Sequence, residues 1–188
     1  MNQSIFKVIL SHAPKYLGGG IISSATALLM TKYYTVVFTP SEFGILSLYL
    51  VMFQYVTSLV SLNLDSGSTR FYFDYRETKR DEYLSTMFWF ITAIAIAVLI
   101  LGLLFMKPIS NWISPNSEIV YLITLVSGVC AVYVSYLTRI LYNEHKSTSV
   151  LKHSLFQTFI NHTSSALFIS IFHLGIFGRI CGQGLVHF

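Results

Sequence analysis

Charge is scarce in this chain. Of its 188 residues, 11% are Asp, Glu, Lys or Arg, whereas 54% are hydrophobic. A soluble domain usually carries about 25% charged residues, because its surface must hold water. The shortage excludes water as the main solvent, and the mean hydropathy of +0.63 points to lipid. Cysteine is nearly missing as well. Cys130 and Cys181 both sit in apolar stretches, with neither metal-ligand spacing nor a disulfide framework. They read as small apolar residues. Recognisable catalytic motifs are lacking too. No His and carboxylate pair stands at a metal spacing, and no nucleophile elbow appears. The Gly18 to Gly20 run has neither the lysine nor the preceding strand of a phosphate-binding loop. His162 and His173 share a helix face but lie roughly 16 Å apart along it, too far for one metal. Nothing here reads as an enzyme.

What the chain does have is apolar runs of spanning length. A bilayer crossing needs about 20 mostly apolar residues. Five stretches qualify as full transmembrane helices: about 16–38, 40–64, 84–106, 118–139 and 154–174, with a sixth starting at 179–188. The expected fold is therefore all-α, an integral membrane helical bundle. In the first helix Gly19, Ser23 and Ala27 recur every four residues, which allows close helix approach. Thr39-Pro40-Ser41-Glu42 has the form of a capped helix start, so the second helix turns back directly on the first. The third helix, rich in alanine, has the least polar face and is the candidate for broad lipid exposure. Residues 107–117, with Pro108, Pro115 and Trp112, read as an interfacial turn. The fourth helix carries a small face of Thr124, Gly128, Ala131, Ser135 and Thr138. The fifth has Gln157, Asn161 and Ser164 on one side.

Polar residues of the second helix are aligned. Ser47, Gln54, Ser58, Ser61 and Asp65 fall within about 40° of one line at 100° per residue. Such a stripe faces other helices or a wet cavity. Lys32, Arg70 and Arg139 are the cations best placed to meet an anionic group, although Lys32 can equally snorkel and Arg70 can pair with Asp74. The candidate cavity set is thus Lys32, Gln54, Ser58, Ser61, Asp65, Arg70, Arg139 and Asn161. With the N-terminus cytoplasmic, the inside holds Lys7, Lys15, Arg70, Arg76, Lys79, Arg80, Arg139, Lys146 and Lys152, and the outside only Lys107 and Arg179. The positive-inside rule selects that orientation. The aromatic and basic run Arg70 to Arg76 follows a membrane helix, so it fits an interfacial belt on membrane lipid and no nucleic acid partner.

Two segments carry a resemblance. Thr39-Pro40-Ser41-Glu42-Phe43-Gly44-Ile45 resembles the helix start "sPeefGiy" of the polysaccharide-transporter branch of the multidrug/oligosaccharidyl-lipid/polysaccharide exporter superfamily. Ser61 to Phe73, SLNLDSGSTRFYF, resembles its "sLGLdsaltRfyf" segment, with Asn63 in place of glycine. The resemblance implies an O-antigen flippase-type protein of the bacterial inner membrane, multi-pass, with no cofactor and with coupling to a proton or sodium gradient left open. Its implied cargo is undecaprenyl-diphosphate-linked oligosaccharide, moved between leaflets by alternating access, with polysaccharide polymerase machinery as a further partner. Inward cations of such proteins would hold the diphosphate, here Lys32, Arg70 and Arg139. A two-lobe transporter needs about twelve helices, so residues 1–188 are expected to form most of an N-terminal lobe. A multidrug exporter of the same superfamily and a non-transporting membrane fragment stand as alternatives.

Overall fold

The computed structural model describes residues 3–72, 77–144, 147–171 and 174–185. Among these residues there are eight helices and no strand: α1 Gln3–Val37, α2 Pro40–Ser61, α3 Leu64–Phe71, α4 Glu77–Leu104, α5 Met106–Ile113, α6 Glu118–Asn143, α7 Ser147–Ser170 and α8 Gly175–Gly184. The all-α bundle expected from composition is the fold. Three helices, α2, α4 from Lys79 onward, and α6, are long and apolar enough to cross a membrane. α1 and α7 are of spanning length, at 35 and 24 residues, but carry more polar side chains.

The bundle has two ends. The end of α1, the start of α2, the end of α7, the start of α8 and the α5 segment lie at one, here the turn end. The end of α2, α3, the start of α4, the end of α6 and the start of α7 lie at the other, the junction end. At the α1–α2 turn the capping box is complete. The Glu42 amide donates to Thr39 Oγ1 at 3.3 Å, and the Thr39 amide donates to Glu42 Oε2 at 2.9 Å. Pro40 occupies a first-turn position, where no amide hydrogen is needed.

α6 is the central post. Half of its most apolar stretch is buried, against 11% for α4, which is the outermost of the three apolar helices. The small face of α6 makes this possible. Gly128 lies so close to α2 that an added Cβ would sit 2.8 Å from Val56 Cγ1. Tyrosines tie the two neighbours to α6 through their tips. Tyr49 of α2 donates to Ser117 Oγ at 2.6 Å. Tyr121 and Tyr136 of α6 donate to the Gly102 and Leu84 carbonyls of α4, at 3.0 and 2.8 Å. Leu46, Tyr49, Val60, Ile91, Leu125 and Val132 form the centre of the core between them.

α1 packs on α7 on the other side of the molecule, parallel to it. The sequence periodicity is used there in part. Gly19 sits 3.2 Å from Leu151 by its Cβ position, and Ser23 shares a 2.7 Å hydrogen bond with Thr158. Ala27 remains exposed. α8 lies antiparallel against α7, with Gly182 touching the Ser165 backbone.

Several element boundaries differ from those expected. α2 ends at Ser61 rather than residue 64, because Leu62 and Asn63 both adopt left-handed backbone angles, φ 42° and 61°. Asparagine tolerates that region and leucine does so only at a cost. The turn at 107–117 contains the helix α5; Pro108 falls in its first turn, where proline is tolerated. α1, α4 and α7 start well before the apolar windows at 16–38, 84–106 and 154–174 and end short of them, at Val37, Leu104 and Ser170, while α6 runs past 118–139 to Asn143. Helices continue into water while their residues are good formers, so apolarity marks the span and not the ends. α8 starts at Gly175, φ 53°, four residues before the expected sixth helix.

Candidate functional site

A polar cleft of about 360 Å³ opens between α6 and α7 toward the junction end, lined by Ser135, Thr138, Arg139, Tyr142 and Gln157 with Ala131 and Val134. Its chemistry follows from helix period. Ala131, Ser135, Thr138 and Tyr142 recur at intervals of three and four along α6, which places small and hydroxyl side chains over one another. Small residues keep α7 close without filling the space. Gln157 supplies an amide from the facing helix. Arg139 is exposed at the rim. A guanidinium carries five donors in a fixed fork and no acceptor, so it matches phosphate or carboxylate oxygens, while hydroxyl and amide groups match sugars. None of the residues lining the cleft is a carboxylate.

The other sequence candidates whose side chains are described do not line the cleft with Arg139. Lys32 is exposed on α1. Gln54 and Ser58 are exposed on α2, and Ser61 is half-buried, accepting a 3.3 Å bond from the Asn63 amide. The aligned stripe also loses its last member: the left-handed pair Leu62 and Asn63 breaks the helix that the 100° spacing assumes, and Asp65 belongs to α3. The side chains of Asp65 and Arg70, and residues Asp74, Arg76 and His173, lie outside the described residues. Asn161 points to a different cluster altogether.

That cluster centres on Arg179, counted above as an outer loop charge. It is in fact 92% buried within α8. Its Nη1 donates to Asn161 Oδ1 at 3.1 Å and to Ser165 Oγ at 3.3 Å. Its guanidinium carbon lies 5.3 Å from the centre of the Tyr34 ring, which is cation–π range. α7 supplies Asn161, His162 and Ser165, one helical turn in all, and α1 supplies Tyr34. Gly178 and Gly182 flank Arg179 and let α8 reach α7. The signal in the sequence was this pair of glycines four apart around an arginine, opposite a polar turn of the preceding helix. Loop counting by apolar windows hid it. Among the described residues, no three His, Cys, Asp or Glu side chains gather into a metal site.

A family model described as a polysaccharide biosynthesis protein matches residues 15–185. The chain belongs to that family. The match takes in α2 to α8 and all but the first residues of α1, so both the Arg139 cleft and the Arg179 cluster lie within it. No curated protein and no solved structure matches the chain. The two segments that carry the resemblance, 39–45 and 61–73, both fall within this match. As a polysaccharide biosynthesis protein with three helices apolar enough to span, it is a multi-pass membrane protein concerned with polysaccharide transport.

Proposed function

We propose that this polysaccharide biosynthesis protein takes part in flipping a lipid-linked oligosaccharide across the bacterial inner membrane, with its N-terminus and its junction end cytoplasmic. The observation that carries the reading is the α6–α7 cleft: a guanidinium at the rim and hydroxyl and amide groups within, in a bundle of this family. A diphosphate would meet Arg139 as it leaves the cytoplasm, and the glycan would meet Ser135, Thr138 and Gln157. The prenyl chain stays in lipid. The work is binding and movement, with no bond made or broken, so the protein acts as a transporter and not as an enzyme. In the intact transporter this bundle is one lobe, and it rocks against a second to expose the cleft to each side in turn. An organic cation would be served by acids in the path, and the cleft has none, which favours the anionic cargo over a drug.

The direct test is rescue. The intact gene is expressed in a flippase-null strain, and surface polysaccharide is measured by gel and by phage or antibody binding. Restored polymer supports the reading. An expressed, membrane-inserted protein that restores none, with each available repeat unit, would overturn it. Cysteine labelling at Asp81 tests orientation; reaction with an impermeant reagent from outside intact cells would invert the topology.

A further inference from the structure

Around Arg179 three buried polar atoms have no well-formed hydrogen bond. The guanidinium is buried, and among the described residues no carboxylate lies against it. Asn161 and Ser165 take up Nη1, but the Nε hydrogen has no acceptor. The Tyr34 hydroxyl sits beside Ser165 and Arg179 in no well-formed hydrogen bond. His162, within electrostatic reach of Arg179, has its Nδ1 buried without a partner. Each of the three can donate: Nε–H always, the phenol readily, and the imidazole in one tautomer. A buried cation with no counter-charge is costly in apolar surroundings. One negative ion accepting from several donors would resolve both shortages at once.

Access and size narrow its chemistry. A second cleft, about 340 Å³, lies between α1 and α7 and is lined by Thr26, Met30, Thr158, His162 and Thr163 among others. The three unpartnered atoms themselves are fully covered. An ion reaching them must shed its water and be small, which excludes a diphosphate or a bulky carboxylate. A single guanidinium calls for a single charge. An ion that needs no donor of its own suits a pocket made of donors. We propose that Arg179, with Tyr34 and His162, binds a small monovalent anion of the halide class, entering through the α1–α7 cleft. The site differs in place and ligand from the α6–α7 cleft, and its occupancy ties α1, α7 and α8 together.

The probe is chloride, tested on the purified full chain in nanodiscs. Thermal unfolding is followed in sodium chloride, bromide, gluconate and phosphate at equal ionic strength. Chloride and bromide should raise the melting midpoint in a saturable way, by roughly 3 °C or more at saturation, relative to gluconate. Arg179→Gln should abolish the dependence. Tyr34→Phe removes a donor that makes no well-formed hydrogen bond here, so it should fold normally. It should need about tenfold more chloride for half the effect, the loss of one charge-assisted bond. Equal midpoints in chloride and gluconate would overturn the proposal, as would stabilisation by phosphate but not by halides. Wild-type chloride dependence in Tyr34→Phe would remove Tyr34 from the site and overturn the proposal in this form. The readout is stability, so it stands or falls separately from glycan transport.

Discussion

Gly182→Ala is the sharpest single probe of how this bundle is held. An alanine Cβ there would sit 2.6 Å from the Ser165 amide nitrogen and 2.7 Å from its Cα, and would also meet Ser165 Oγ. Both measured contacts are to backbone, so no rotamer change relieves them. α8 must move away from α7 by on the order of 1 Å. Gaps of that size forfeit a quarter to a half of the dispersion energy of the atoms that line them. Overpacking typically costs about 1–3 kcal/mol, and the better helix propensity of alanine returns up to about 1 kcal/mol. A net loss of about 1–2 kcal/mol follows. For a chain of this length that lowers the melting midpoint by roughly 2–8 °C. Two controls separate backbone from side-chain contact. At Gly102 an added Cβ would also meet an atom at 2.6 Å, but that atom is Leu125 Cδ2, the movable end of a side chain. At Gly20 nothing lies within 4 Å. Gly102→Ala should therefore cost well under 1 kcal/mol, and Gly20→Ala should be neutral or stabilising. The assay is thermal unfolding of the three purified variants in one detergent. If Gly182→Ala melts with Gly20→Ala, α7 and α8 do not meet as described.

Three further outcomes are expected. Ser117→Ala should cost more than Tyr49→Phe, about 1–3 against about 1 kcal/mol in unfolding. The first leaves the buried Tyr49 hydroxyl only the distant residue-117 carbonyl at 3.5 Å, and the second leaves Ser117 still donating to the Ser114 carbonyl at 2.6 Å; equal costs would refute this. Asn63→Gly should be more stable than Asn63→Val by about 1–2 kcal/mol, since φ is 61° there and a branched side chain is strained at that angle. A chemical-denaturation comparison checks it. Arg139→Gln should reduce glycan rescue by about tenfold or more, the worth of one charged hydrogen bond, with unchanged melting because the residue is exposed. Normal rescue by that variant would remove Arg139 from the transport path.

Much of the helical layout was legible because membrane helices announce themselves by apolar length, and because Thr39 to Glu42 forms its capping box from neighbours alone. The replaced glycine of the second motif is explained only by the structure: Asn63 keeps the left-handed angle that glycine would supply. Arg139 was named as a candidate from its place near the inner end of the fourth apolar run, and the structure puts it in the last turns of α6, on the small face that with Gln157 lines a cleft. Arg179 was misplaced. Apolar windows assign a charge near a window's edge to the loop, and only packing reveals a charge drawn into the bundle. The stripe from Ser47 to Asp65 failed for another reason. Periodicity holds only while the backbone stays helical, and two left-handed residues interrupt it.

The sequence by itself determined the solvent, the all-helical class, the helix start at Pro40 and the family, since each depends on composition or on residues adjacent in the chain. Tertiary structure decided which polar residues share a site. Asn161 and Arg179 are 18 residues apart, and Tyr34 is farther still. They meet because glycines let α8 press on α7, and small residues let α1 lie beside α7, from where Tyr34 reaches Arg179. Such approach distances are set by pairs of surfaces, and no single helix carries both halves of that information.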